Sequence, residues 1–93
     1  MENKGEGFRS VGWRFTPYRV FNRDKLVAFF NKLNVERMKA VFITDSGIFG
    51  YNLTPDALTE MPLDDTAESR VEIIASDIDS TWETQILDCL AAS

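Results

Sequence analysis

An alternating pattern of apolar and polar residues lies on both sides of a short turn in this chain and limits the folds open to it. Residues from Glu36 to Thr44 alternate between two faces, one of them predominantly apolar. Asp45-Ser46-Gly47 follows as a turn signal, and an apolar run resumes from Ile48 to Leu53. Because a side-chain period of two is that of a β-strand, the pattern predicts an antiparallel hairpin in the middle of the chain.

Two further segments have the period of an amphipathic helix. The first follows Asn22, a suitable N-cap, and is predicted over residues 23–33. Its apolar stripe consists of Leu26, Phe29, Phe30 and Leu33. The second is predicted to begin at Ser80-Thr81-Trp82-Glu83, which fits a capping box with Ser80 as N-cap and Glu83 at the third helical position. Its apolar stripe consists of Trp82, Ile86, Cys89 and Leu90.

Three more strands complete the predicted elements. Residues from Val11 to Thr16 and from Ser69 to Ala75 alternate with period two. Leu58 to Leu63 is predicted as a short strand that Pro62 confines to an edge of the sheet. The order is β-α-β-β-(β)-β-α.

This order indicates an α+β fold, in which an antiparallel sheet of four to five strands carries two helices on one face. Such an arrangement buries both apolar stripes. Residues 1–10 have no periodicity and are predicted to form a flexible N-terminal tail. Residues 11–93 are predicted to form a single domain, as the length of the chain suggests.

The residue types argue against catalysis. The chain has no His and a single cysteine, Cys89, so it contains neither a Ser/His/Asp nor a Cys/His set, and a tetrahedral Cys/His zinc site cannot be built within one chain. We therefore expect a non-catalytic domain. A lone cysteine forms no internal disulfide, which fits a cytoplasmic location. No membrane partner is expected, because no apolar run approaches the ~20 residues that span a bilayer. Cys89 is predicted to be a small buried apolar residue, with a metal ligand as the weaker alternative.

Charge is distributed unevenly. The net charge is −5, but residues 1–53 carry nine Lys and Arg against five Asp and Glu, and residues 54–93 carry one against ten. The asymmetry indicates either two mutually attracting faces of one domain or a partner surface.

The net charge argues against nucleic acid as a partner. The alternative is a module that binds single-stranded nucleic acid through its basic and aromatic N-terminal half. That half interleaves arginines with Trp13, Phe15 and Tyr18.

The strands from Glu36 to Thr44 and from Ser69 to Ile74 place charged residues opposite their larger apolar residues. If these strands are neighbours, Lys39 or Arg37 is in a position to pair with Glu72 across the sheet. The polar face is either a solvated surface or a docking surface for another domain, and the pattern leaves both open. The candidate docking residues are Arg37, Lys39, Arg70 and Glu72.

The order of several short motifs resembles the C-terminal domain of CobW-type GTPases, a family of metallochaperones and cobalamin-synthesis proteins. The similarity covers about residues 11–91. The motifs are Trp13-Arg14-Phe15, Phe21 to Leu26, Glu36 to Ala40, Thr44 to Gly47, Tyr51-Asn52, Ser69 to Ile74 and Trp82 to Leu90.

The resemblance implies an accessory or regulatory domain that docks on a GTPase domain, in cis or in trans, or on the client protein that receives the metal. The Walker-type loop, the magnesium-binding Asp and the Cys-x-Cys-Cys motif of the family's GTPase half are missing from this sequence. No cofactor is therefore expected on this chain, and GTP, magnesium and zinc are expected only on the GTPase domain. The resemblance places the docking role on Arg37, Lys39, Arg70 and Glu72.

Overall fold

The computed structural model describes residues 7–92 and confirms the α+β fold, with an antiparallel sheet and two helices. Its elements follow the predicted order, including the strand that the sequence left optional. They are β1 (Arg9–Phe15), α1 (Arg23–Lys32), β2 (Arg37–Thr44), β3 (Gly47–Leu53), β4 (Leu58–Leu63), β5 (Ser69–Ala75) and α2 (Trp82–Leu87).

The five strands form one sheet in the order β1-β5-β2-β3-β4. Every neighbouring pair is antiparallel, so β5 returns across the sheet to lie between β1 and β2. The predicted hairpin is confirmed as β2 and β3. The predicted edge position of β4 is also confirmed, and Pro62 lies opposite Phe49 there.

The core lies on the face of the sheet that the helices cover. Phe42 is fully buried at its centre, and its ring lies 4.8 Å from that of Phe21 and 6.0 Å from that of Phe30 on α1. Trp82 and Ile86 bring α2 into the same cluster. The predicted alternation in β2 is confirmed, because Met38, Ala40, Phe42 and Thr44 are buried while the residues between them are exposed or half-buried.

The start of α1 follows the predicted cap. Asn22 Oδ1 accepts a hydrogen bond from the Lys25 amide at 2.8 Å, which satisfies one of the free donors of the first turn. The Arg23 amide donates to Asp45 Oδ1 at 3.1 Å. The first turn is therefore held both by its own cap and by the hairpin turn. The helix ends at Lys32, one residue before the predicted end.

The predicted capping box of α2 is wrong. The N-cap is Thr81 and makes no side-chain capping bond, and the helix ends at Leu87, so Cys89 and Leu90 lie beyond it. Asp79 Oδ1 instead accepts hydrogen bonds from the Thr81 amide at 2.8 Å and from the Thr81 hydroxyl at 2.6 Å. These bonds hold the pKa of Asp79 below its ordinary value. A charged carboxylate is a stronger hydrogen-bond acceptor than the Ser80 hydroxyl, which explains why Asp79 and not Ser80 accepts hydrogen bonds at the start of this helix.

The predicted tail is also partly wrong. Arg9 and Ser10 belong to β1, where they lie opposite Ala75 and Ile74. Backbone hydrogen bonds between strands do not require an alternating side-chain pattern, so the sequence gives no indication that β1 begins at Arg9. Residues 1–6 of the predicted tail lie outside the described residues.

Candidate interaction surface

The face of the sheet opposite the core forms a groove of about 770 Å³ that residues from all five strands line. We call this surface the open face. Side chains reach it from the positions that alternate with the buried ones. Two rows of cross-strand neighbours form its centre, and each row crosses the whole sheet.

The first row runs from a basic side to an apolar side. Arg14 on β1 lies opposite Arg70 on β5, and Arg70 lies opposite Val41 on β2. The row continues through Gly50 on β3 to Met61 on the edge strand β4. Met61 is 63% exposed. The open face therefore carries cations at one side of the sheet and an unburied apolar side chain at the other.

The second row contains two of the predicted docking residues. In sheet order it consists of Gly12, Glu72, Lys39, Asn52 and Thr59. Lys39 and Glu72 are directly opposite, so the predicted neighbourhood of the strands is confirmed. Among residues 7–92, however, the ion pairs are Arg14–Glu68 and Arg23–Glu60, so the expected pairing of Lys39 or Arg37 with Glu72 is not formed. Exposed pairs gain little free energy, because water screens them and the side chains lose freedom.

Arg37 lies at the end of β2, away from the first row. It is opposite Ile74, and its Nε donates a long hydrogen bond of 3.4 Å to Asn52 Oδ1. The structure therefore brings Lys39, Arg70 and Glu72 together at the centre of the open face and leaves Arg37 at its margin. All four predicted docking residues share this face.

Two like charges lie side by side on the open face. Directly opposite residues of an antiparallel pair have Cβ atoms only about 4.5–5.5 Å apart, so the Arg14–Arg70 pair opposes folding. Arg14 has partial compensation, since its Nε lies 3.4 Å from Glu68 Oε2. Arg70 forms no ion pair within residues 7–92. The pair is thus a concentration of positive charge that Glu68 compensates only at Arg14, on a chain whose net charge is −5.

A glycine opens the middle of the groove. Gly50 lies between Val41 and Met61, and a Cβ atom at this position would lie 3.4 Å from Leu63 Cδ1. Because Gly50 has no side chain, the backbone of β3 is half-buried at the floor of the groove. Arg14, Gly50 and Met61 are members of the site that the sequence pattern does not single out. Alternation placed each on a face, but only the strand order makes them neighbours.

Alternation directs the aromatic side chains of the nucleic-acid alternative away from the open face, although Trp13 is among the residues that line the groove. Phe15 is buried in the core, and Trp13 packs against the same cluster. Tyr18 is 92% exposed, in the loop between β1 and α1. Base stacking needs aromatic rings along the binding groove, so this arrangement does not favour the alternative.

A second polar cluster, which the sequence analysis missed, joins α1 to the edge strand on the covered side. Arg23 makes a two-point contact with the Glu60 carboxylate, and the Tyr51 hydroxyl donates to Glu60 Oε2 at 2.8 Å. The Arg23 guanidinium also lies 4.3 Å from the centroid of the Phe49 ring. Burial and the bond to Glu60 raise the pKa of Tyr51. The polar groups of Arg23, Tyr51 and Glu60 are therefore hydrogen-bonded to one another, and these bonds hold β4 against α1 and β3.

Acidification is expected to remove the stabilisation that Glu60 gives. The hydrogen bonds from Arg23 and then Tyr51 hold the pKa of Glu60 below its ordinary value, so folding favours the charged carboxylate. This stabilisation is present above the unfolded-chain pKa of about 4.3 and is lost as the pH falls through the folded pKa. The unfolding temperatures of wild type and Glu60→Gln should therefore differ at about pH 7, and the difference should shrink as the pH falls below about 4.3 and through the lowered folded pKa. A difference in unfolding temperature that does not change with pH would contradict the stabilising role of the charged Glu60 carboxylate.

Cys89 is buried, as predicted for a small apolar residue. Its thiol donates to the Gln85 carbonyl at 3.3 Å, and burial raises the pKa of the thiol. Within residues 7–92, no three His, Cys, Asp or Glu side chains lie close enough to hold a metal ion together. The geometry gives the weak metal-ligand alternative for Cys89 no supporting ligands.

Among the described helices, none is long and apolar enough to cross a membrane. Comparison of the chain with protein-family models, with curated proteins and with solved structures finds no match in any of the three. The resemblance to the CobW C-terminal domain therefore stays a prediction from the sequence motifs.

Proposed function

We propose that this chain is a non-catalytic interaction domain that docks on another protein through its open face. The observation that carries the proposal is the unequal use of the two sheet faces. One face packs against both helices and holds the core, while the other is an uncovered groove that contains Lys39, Arg70 and Glu72.

The composition of the groove supports binding better than simple solvation. Met61 is exposed on it, Leu63 is 36% exposed, and Arg70 has no ionic partner among the described residues. Exposed apolar side chains on the same surface as a charge without an ionic partner are typical of a surface that a partner covers. The motif order suggests the partner: a CobW-type GTPase domain, in cis or in trans, or the client protein that receives its metal. In this proposal the domain modulates metal delivery, and GTP, magnesium and zinc stay on the GTPase domain.

Replacing Arg70 by alanine is expected to weaken docking by about tenfold or more, as for an arginine near the centre of an interface. The full chain would be titrated calorimetrically into the GTPase domain of a CobW-type protein from the same organism, with GTP and with GDP. Lys32→Ala is the matched control, since Lys32 is an exposed cation in the last turn of α1. Thermal unfolding of each variant would be measured in parallel.

An unchanged affinity for Arg70→Ala would remove Arg70 from the docking site. Failure of wild-type protein to bind the GTPase domain in either nucleotide state would remove that partner from the proposal. An equal loss of binding in Lys32→Ala would show that net charge, and not the open face, is recognised.

A further inference from the structure

The backbone of the open face restricts what can bind there. The central strands β5, β2 and β3 each have a neighbour on both sides, so their backbone groups are already paired. An extended peptide would extend the sheet at β1 or β4, since only an edge offers free backbone groups. A ligand on the face itself must be recognised by side chains and must satisfy its own backbone, as an α-helix does.

The spacing of the two sides of the open face suits one helix. Arg70 on β5 and Met61 on β4 are three strand spacings apart, which is about 14 Å. An α-helix with its side chains is about 10–12 Å wide. Gly50 lies between Arg70 and Met61 and leaves room above β3. A helix that lies over β2 and β3, midway between Arg70 and Met61, would therefore have cations along one flank and apolar side chains along the other.

The charge of the open face selects the chemistry of that helix. The juxtaposed Arg14 and Arg70 repel each other in the free domain, and a carboxylate bound between them would remove that repulsion. Guanidinium groups bind carboxylates in a planar two-point geometry, which makes the pair a specific acceptor for Glu or Asp.

We propose that the open face binds an amphipathic helix of the partner protein, an inference that rests on the proposed docking role. The acidic flank of this helix meets Arg14 and Arg70, and its apolar flank packs on Met61 and Leu63.

Three other occupants fit the open face less well. Nucleic acid would bring phosphates onto Glu72 and would find no aromatic residue among those of the two central rows. A second copy of this chain, docked symmetrically, would bring its own Arg14 and Arg70 onto the groove, so that like charges meet. A basic partner would meet three cations, Arg14, Lys39 and Arg70, in the two rows.

The test uses the full ¹⁵N-labelled chain and a designed helical peptide of about 15 residues, roughly 23 Å long and close to the length of β3. The peptide carries leucines on one flank and glutamates on the other. A second peptide has every glutamate replaced by lysine, and a third has the first peptide's composition in scrambled order. The acidic helix is expected to bind and to shift the amides of Arg14, Val41, Gly50 and Arg70. The lysine and scrambled peptides are expected to bind at least tenfold more weakly.

Two variants separate recognition from folding. Arg70→Glu should reduce affinity for the acidic helix at least tenfold without lowering the unfolding temperature, because Glu opposite Arg14 replaces a repulsion by an attraction. Gly50→Val should reduce it by filling the groove while leaving all charges in place. Lys32→Glu makes the same charge change as Arg70→Glu on α1 and should leave affinity within about twofold, the residual effect of exposed charge.

Several outcomes would overturn the inference. These are equal binding of the three peptides, amide shifts outside the open face, tighter binding of a single-stranded oligonucleotide to the same residues, or shifts on dilution that reveal a second copy on the groove. If the acidic helix fails to bind while the GTPase domain binds and Arg70→Ala weakens it, the inference is wrong and the proposed docking role stands. If the acidic helix binds and the GTPase domain does not, the inference stands and the proposed partner is wrong.

Discussion

Replacing Phe42 by alanine is expected to destabilise the domain by about 3–5 kcal/mol. Phe42 is fully buried, and its ring contacts Phe21, Phe30 and Phe15, with a centroid distance of 6.2 Å to Phe15. The substitution removes a large apolar surface, leaves a cavity between the sheet and α1, and removes several aromatic contacts worth about 0.5–1.5 kcal/mol each. Small domains are stable by only about 5–15 kcal/mol, so a large part of the stability should be lost.

Chemical denaturation followed by tryptophan fluorescence would measure this loss. Val41→Ala is the matched control, because Val41 is the preceding residue on β2 and lies half-buried on the open face. It should cost about 1 kcal/mol, since it removes less apolar area from a partly exposed site. Equal losses for the two variants would contradict the assignment of the core to one face of β2.

Replacing Ser69 by alanine is expected to cost about 1–3 kcal/mol, although it removes a single oxygen atom. Ser69 is fully buried, and its Oγ accepts a hydrogen bond from the Ile43 amide at 2.9 Å. The backbone pairing of β2 with β5 ends at Val41 and Arg70, so the hydroxyl takes over where the backbone of β5 no longer reaches β2. Without it, a partly buried N–H group loses its partner.

Hydrogen exchange at the Ile43 amide distinguishes this cause from a general loss of packing. In Ser69→Ala, exchange at Ile43 should accelerate more than exchange at amides paired within the β2–β3 hairpin. Ser80→Ala is the control, because Ser80 is an exposed serine in the loop before α2 and should change stability by less than about 0.5 kcal/mol. Unchanged protection of Ile43 in Ser69→Ala would contradict the role of the hydroxyl.

These two residues also bear on the candidate site. Phe42 and Ser69 hold β2 and β5 together from the covered side, and the same strands carry Lys39, Arg70 and Glu72 on the open face. Because neighbouring residues of a strand point to opposite faces, the core fixes the positions of the candidate docking residues without contacting them. Variants of the open face should therefore separate binding from folding more cleanly than variants of the core.

Local sequence patterns determined the elements and the face on which each residue lies. Asn22 marks the start of α1, the Asp45-Ser46-Gly47 turn sets the hairpin, and Pro62 confines β4 to an edge, because each acts through the backbone of its own neighbourhood. Period-two alternation by itself assigns Lys39, Arg70 and Glu72 to the face away from the core. These signals are short-range, so the sequence contains them explicitly.

Only the tertiary structure decided which strands are neighbours. The insertion of β5 between β1 and β2 makes Arg14 the neighbour of Arg70 and brings Ser69 to Ile43, and the placement of α1 against β4 joins Arg23 to Glu60. Each contact joins residues far apart in the chain. Such a contact forms when the apolar surface that a pairing of strands buries stabilises the fold by more than the entropy lost in closing the loops between them. No local sequence pattern contains this difference in free energy.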